Sequence, residues 1–166
     1  MENTFKDKVV VVTGGAQGIG RCIAEEFTKA GAHVCVIDKQ DGNHYVGDIS
    51  DKGTLEAFAA DVICKYGKID VLVNNALPIM RGIDECSYEE FQYALSVGVT
   101  APFYLAKLFS KHFTQGASII NISSSRDRMA AGRRQGLRRP DMKCRSSQAR
   151  WSLRGPFRRS LPPGRG

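Results

Sequence analysis

The sequence predicts an α/β fold, a doubly wound parallel sheet, and three observations carry that expectation. First, four consecutive valines, Val9 to Val12, run into a glycine-rich turn and then into a stretch with helical apolar spacing. Second, short β-branched runs continue to alternate with longer segments of 3.6-residue period as far as Ile122, the pattern of successive βαβ units. Third, aliphatic residues stop abruptly: 23 Val and Ile fall in residues 1–125 and none in 126–166, which confines the packed sheet to the first part.

The opening unit sets the rest. After the valines comes Thr13-Gly14-Gly15-Ala16-Gln17-Gly18-Ile19-Gly20, and behind it Ile19, Ile23, Phe27 and Ala30 recur on one helical face, with Gly31 where the helix should end. A strand, a glycine turn and a helix in that order suit a dinucleotide pyrophosphate. The phosphates lie against backbone N–H groups at the helix N-terminus, where the macrodipole favours negative charge. A Cβ at the closest approach would hold the ligand off, and glycine also permits the positive φ that such turns need.

The spacing T-G-x-x-x-G-x-G resembles the short-chain dehydrogenase/reductase family, and a second match follows at Asn74-Asn75-Ala76. The resemblance implies a Rossmann-like sheet in the order 3-2-1-4-5 and hydride transfer between a nicotinamide cofactor and an alcohol or carbonyl carbon. It assigns Gly14, Gln17, Gly18, Ile19, Gly20, Asp38, Asp48 and Asn75 to the cofactor and Ser124 to the substrate oxygen. The family's loop after the second match is N-N-A-G; here Leu77 stands in place of that glycine, followed by Pro78.

In chain order, His33 to Ile37 reads as the second strand, closed by Asp38. A carboxylate there accepts hydrogen bonds from an adenosine ribose and repels a 2′-phosphate, so the expected cofactor is NAD rather than NADP. Lys39 beside it works against that preference. His44 to Val46 is a short third strand leading into Asp48-Ile49, the position at which the family contacts the adenine ring. Ser50 or Asp51 caps a helix with Leu55, Phe58, Ala59, Val62 and Tyr66 on one face, ended by Gly67. Ile69 to Val73 is the fourth strand. A long helix is expected over 88–113, bent at Pro102. The family often places an asparagine within this helix as part of a proton relay, and Gly98 stands there instead. Ala117 to Ile122 is the fifth strand, leading to Ser123, Ser124 and Ser125.

Beyond that serine the resemblance fails, near Arg128 or Met129. The family's general acid–base tyrosine lies in Y-x-x-x-K, where the lysine lowers a phenol pKa that is otherwise ~10. No tyrosine follows Tyr104 in the sequence, position 137 is Leu137, and the only lysine beyond Ser124 is Lys143. Residues 126–166 carry twelve arginines, one lysine and two aspartates, a net +11, against eleven basic and fifteen acidic groups, a net −4, in residues 1–125.

The expected organisation is therefore a partial Rossmann-like domain over 1–125, truncated after strand five, and an arginine-rich tail over 126–166. The tail has too little apolar side chain to offset its folding entropy, so disorder is expected there. Its Arg, Gly, Pro and Ser content suits a different reading frame of the gene, or a replaced segment. The rival reading is a basic nucleic-acid-binding tail. Against that stand the lack of any repeat and the sparse aromatics, Trp151 and Phe157. The five cysteines form no C-x-x-C pair, and no run of 18 apolar residues occurs. These features point to a cytoplasmic protein with no membrane partner, while the family resemblance implies a small alcohol or ketone as substrate and a homo-oligomer in an intact relative.

Overall fold

The computed structural model describes residues 4–78, 81–82 and 84–123. Five parallel strands form one sheet: β1 (Val9–Thr13), β2 (His33–Asp38), β3 (Tyr45–Val46), β4 (Ile69–Asn74) and β5 (Phe113–Asn121). Their spatial order is β3-β2-β1-β4-β5, as expected. The helices are α1 (Gly18–Lys29), α2 (Lys52–Tyr66), α3 (Tyr88–Leu95) and α4 (Ala101–Phe109), with a π-helical turn over Ser96–Thr100 joining the last two.

The valine run is the middle strand of this sheet, paired on both edges and buried at every position. Successive side chains of a strand point to opposite faces. Val9 and Val11 accordingly join a core with Ile37, Leu55, Phe58, Leu72, Leu105 and Phe109, under α2 and α4. Val10 and Val12 join a second core with Ala24, Ala32, Val71 and Val73, against which Phe27 of α1 packs. Each fully buried valine contributes ~1.5–3 kcal/mol relative to exposure. The register pairs Val11 with Cys35 on one side and with Leu72 on the other, so the carboxyl ends of three strands finish side by side.

Helix boundaries follow local chemistry. Gly31 turns the chain after α1 at φ 90°, and Gly67 ends α2 in the left-handed conformation at φ 68°. Of the two candidate caps for α2, Asp51 is the one used: its carboxylate accepts from Thr54 N at 2.7 Å. Ser87 and Glu90 form a reciprocal capping box at the start of α3.

Two expectations are corrected. The long helix over 88–113 is two helices separated by the π-turn, and it stops at Phe109. Pro102 has no N–H to donate, and the π-turn ends immediately before the first residue of α4, so the hydrogen-bond ladder is re-registered there. The fifth strand begins at Phe113, four residues before Ala117, and ends at Asn121. Phe113 lies four residues after Phe109 and so fits the helical apolar spacing, but it pairs with Ile69 in the sheet while its ring meets that of Phe109 edge-on. The early start requires an irregularity in β5 between the partners of Ile69 and Val71, where Gly116 adopts φ 84°. More modest differences are that β2 includes Asp38 and that β3 begins at Tyr45.

One buried charge ties down the opposite end of the sheet. Asp70 is 5% exposed and accepts from Val9 N at 2.9 Å, Lys8 Nζ at 2.9 Å and Thr114 Oγ1 at 2.9 Å. It therefore joins β1, β4 and β5 at their amino ends. Ser124 and residues 126–166 lie outside the described residues. Among the described residues no helix is long and apolar enough to cross a membrane, and no cluster of His, Cys, Asp and Glu could hold a metal ion. No disulfide joins Cys22, Cys35, Cys64 or Cys86.

Candidate functional site

The carboxyl ends of β1, β2 and β4 gather most of the residues singled out in the sequence. The glycines of the turn divide into two kinds. Gly14, Gly15 and Gly20 are required by protein packing. A Cβ on Gly14 would lie 2.8 Å from Ala76 Cα, one on Gly15 would lie 2.6 Å from Val36 Cγ1, and one on Gly20 would lie 2.1 Å from Gly14 O. Gly18 is different. Its φ is +57°, and a Cβ there would meet nothing within 4 Å. Space is therefore open on the side where α1 begins.

That helix start lacks the usual satisfaction of its first donors. Gln17 is the N-cap residue and makes no side-chain cap hydrogen bond, and no acidic side chain lies in the first turn. The ladder of α1 opens at Arg21 N, which donates to the N-cap carbonyl Gln17 O at 3.2 Å. A glycine at positive φ, open space and uncapped backbone donors at a helix N-terminus fit a pyrophosphate. Gln17 and Ile19 are both solvent-exposed at its rim, Ile19 by 60%.

The turn is held from two sides. Thr13 Oγ1 accepts from Asn75 N and Ala76 N, each at 3.1 Å, and Asn75 Nδ2 donates to Thr13 O at 3.1 Å and Gly14 O at 2.9 Å. Asn75 thus laces β4 to the glycine turn, the bracing that the family resemblance implies. Thr13 was noted in the sequence only as part of the motif, yet its hydroxyl is the hub of this junction. On the other side Asp38, 8% exposed, accepts from Ala16 N at 2.9 Å through Oδ2 and from Gln40 N at 3.0 Å through Oδ1. Each carboxylate oxygen has a second acceptor direction, so the group can still receive a hydroxyl.

Asp48 stands past β3. Its Oδ1 accepts from Ser50 N at 2.8 Å and its Oδ2 from the Tyr93 hydroxyl at 2.8 Å. Partial burial would raise its pKa, but these hydrogen bonds and the charge of Lys39 outweigh it and hold the carboxyl below its usual range. Burial first, then the bond to Asp48 and the charge it carries, push the Tyr93 phenol up to about 12. Tyr93 was not singled out in the sequence, and no local signal marks it, since it lies 45 residues from its partner.

The two departures from the family pattern meet each other. Gly98 lies in the π-turn, and a Cβ on it would be 3.5 Å from Leu77 Cδ2. An ordinary Cβ therefore fits there, beside a leucine that stands where the family has glycine. Asn74, buried at the end of β4, donates from Nδ2 to Asn121 Oδ1 at 2.8 Å. Ser124, the expected substrate-oxygen residue, falls beyond the described residues.

A parallel sheet in the order β3-β2-β1-β4-β5, with a glycine turn opening on an uncapped helix start, defines a Rossmann-like domain. Comparison with known proteins narrows the class. The family model for short chain dehydrogenase matches residues 8–134. Momilactone A synthase of Oryza sativa subsp. japonica is 38% identical over 114 residues, covering 58% of this chain and 41% of that protein. L-fucose dehydrogenase of Rattus norvegicus is 33% identical over 135 residues, covering 72% of this chain and 50% of the relative. Among solved structures, an apo SCOR enzyme from Clostridium thermocellum superposes with a TM-score of 0.69 at 37% identity, over 75% of this chain and 57% of that one. The chain belongs to the short-chain dehydrogenase family, oxidoreductases that bind nicotinamide dinucleotides and act on small-molecule substrates. It spans about half the length of the relatives it matches.

Proposed function

We propose that residues 1–125 form the NAD(H)-binding part of an oxidoreductase acting on an alcohol/carbonyl pair, and that the sequence as it stands carries out little or no hydride transfer. The open, positive-φ Gly18 at the uncapped start of α1 is the observation that supports this reading most. In it, the backbone donors of Gly18, Ile19 and Gly20 take the pyrophosphate, with Gly14 shaping the turn and Gln17 at its edge. Asp38 accepts from the adenosine ribose, Asp48 accepts from the adenine amino group, and Asn75 borders the cofactor while bracing the turn. The negative charge of Asp38 beside Ala16 disfavours a 2′-phosphate, which selects NAD over NADP.

When bound, the nicotinamide ring supplies or receives the hydride. The chain's contribution at the substrate would be Ser124, whose hydroxyl holds the reacting oxygen. No tyrosine follows it to move a proton, and Gly98 has no side chain with which to relay one. General acid–base catalysis typically contributes ~10²–10⁴ in rate, so its loss alone reduces turnover severely. On this reading residues 126–166 descend from a shifted reading frame or a replaced segment. The chain is then a largely non-catalytic dinucleotide-binding module, cytoplasmic, whose intact relatives bind a small alcohol or ketone and assemble as homo-oligomers. The net +11 of the tail is the one feature favouring nucleic acid instead.

Fluorescence titration with NADH and NADPH tests the reading. NADH should bind more tightly, and Asp38→Ala should narrow the difference. Equal or tighter binding of NADPH would refute the cofactor assignment. Steady NADH production from a panel of secondary alcohols, at the order of 1 s⁻¹ that enzymes commonly reach, would refute the claim of inactivity.

A further inference from the structure

Asp48 is gripped by residues that are distant in sequence. Ser50 N fixes one carboxylate oxygen from the adjoining turn, and the Tyr93 hydroxyl fixes the other from α3. With Oδ1 alone engaged, the carboxylate could still swing about its χ torsions; the second contact sets its plane. The same tyrosine ring carries Lys39 Nζ 5.7 Å from its centroid. Tyr93 thus joins three segments, the loop after β2, the turn after β3 and helix α3, around the place where Asp48 stands.

We propose that Tyr93 is a positioning residue for purine recognition, holding Asp48 so that its free lone pairs face the exocyclic amino group of an adenine. This rests on the reading of residues 14–48 as a nucleotide site. The chemistry is selective. A carboxylate receives the N–H of a 6-amino purine but repels the carbonyl oxygen that a 6-oxo purine presents at the same place. The phenol keeps its proton at neutral pH, so it always donates to Asp48 and never competes as an anion. Discrimination between the two purines therefore depends on a side chain that does not itself touch the nucleotide.

Calorimetric titration with ADP and inosine diphosphate separates this role from a merely structural one. Both ligands carry the same pyrophosphate and ribose and differ only at the purine edge. The unmodified chain should prefer ADP. Tyr93→Phe keeps the ring under Lys39 and removes only the hydroxyl; it should weaken ADP by roughly three- to tenfold, the scale of one hydrogen bond, and leave inosine diphosphate unchanged. Asp48→Ala should abolish the preference, and adding Tyr93→Phe to it should change nothing further. Equal losses for both ligands, or an unaltered ADP preference in Tyr93→Phe, would overturn the positioning role while the nucleotide site stands. If the unmodified chain bound neither ligand, the nucleotide-site reading would fall and the role of Tyr93 with it.

Discussion

Substituting the glycines of the turn one at a time should separate stability from binding. At Gly20 an added methyl would lie 2.1 Å from Gly14 O and 2.4 Å from Asn75 Nδ2. The first of these is backbone and cannot step aside. The second is the amide that donates to both Thr13 O and Gly14 O. Overpacking of this kind costs ~1–3 kcal/mol, and losing two part-buried hydrogen bonds adds ~0.5–1.5 kcal/mol for each. Gly20→Ala should therefore destabilise the domain by about 2–6 kcal/mol, a large share of the ~5–15 kcal/mol available to a folded domain. At Gly18 the protein has room, and the cost is that of placing a Cβ at φ +57°, on the order of 1–2 kcal/mol. Its methyl would instead project into the space assigned to the pyrophosphate. Gly18→Ala should stay folded but lose most of its NADH affinity. Urea unfolding followed by far-ultraviolet circular dichroism measures the first effect, and NADH titration measures the second. A Gly20→Ala chain within about 0.5 kcal/mol of the parent would refute the packing argument. A Gly18→Ala chain with unchanged NADH affinity would refute the placement of the ligand.

Three further outcomes are expected. Asp70→Asn should cost ~1–3 kcal/mol at neutral pH, because it leaves Lys8 and Lys68 facing a neutral group and mismatches one donor. Burial raises the Asp70 pKa, but hydrogen bonds from Val9, Lys8 and Thr114 and the charge of Lys68 outweigh it, so the folded value lies below the unfolded one. The stabilisation is then full above the unfolded value of ~3.9 and is lost as pH falls through the folded one. The gap between parent and Asp70→Asn should accordingly close in acid, and a gap unchanged down to full acid unfolding would contradict it. Gly98→Ala should stabilise by ~0.5–1 kcal/mol, since its Cβ has ordinary contact room beside Leu77 and its φ is not positive; a loss of stability in urea would show that the π-turn does not tolerate it. Ending the chain after Met129 should leave the circular dichroism spectrum and melting temperature nearly unchanged, and a large loss of helix or strand signal would show that residues 130–166 pack against the domain.

The valine run, the glycine turn and the punctuating Gly31 and Gly67 were legible in sequence because their causes are local. A β-branched run favours a buried strand, and a residue needing positive φ favours glycine, whatever lies elsewhere in the chain. The strand order followed from the resemblance that these motifs carry, not from periodicity. Asp38, Asp48 and Asn75 could likewise be placed near one sheet edge, since each ends or follows a strand. Sequence could not show what those side chains touch. That Asp38 grips Ala16, that Asn75 laces two strands through Thr13, and that Tyr93 holds Asp48 are contacts spanning 22 to 62 residues, and each is created only when the strands come into register. The same reason explains the misplaced boundary at Phe113. Its spacing from Phe109 continues a helical stripe, but pairing with Ile69 satisfies its backbone in the sheet, and tertiary hydrogen bonding outweighs a local period. Leu77 and Gly98 read as two unrelated departures along the chain. Only the folded molecule brings the Leu77 side chain up to the backbone of Gly98, 21 positions away, through packing that no window of sequence contains.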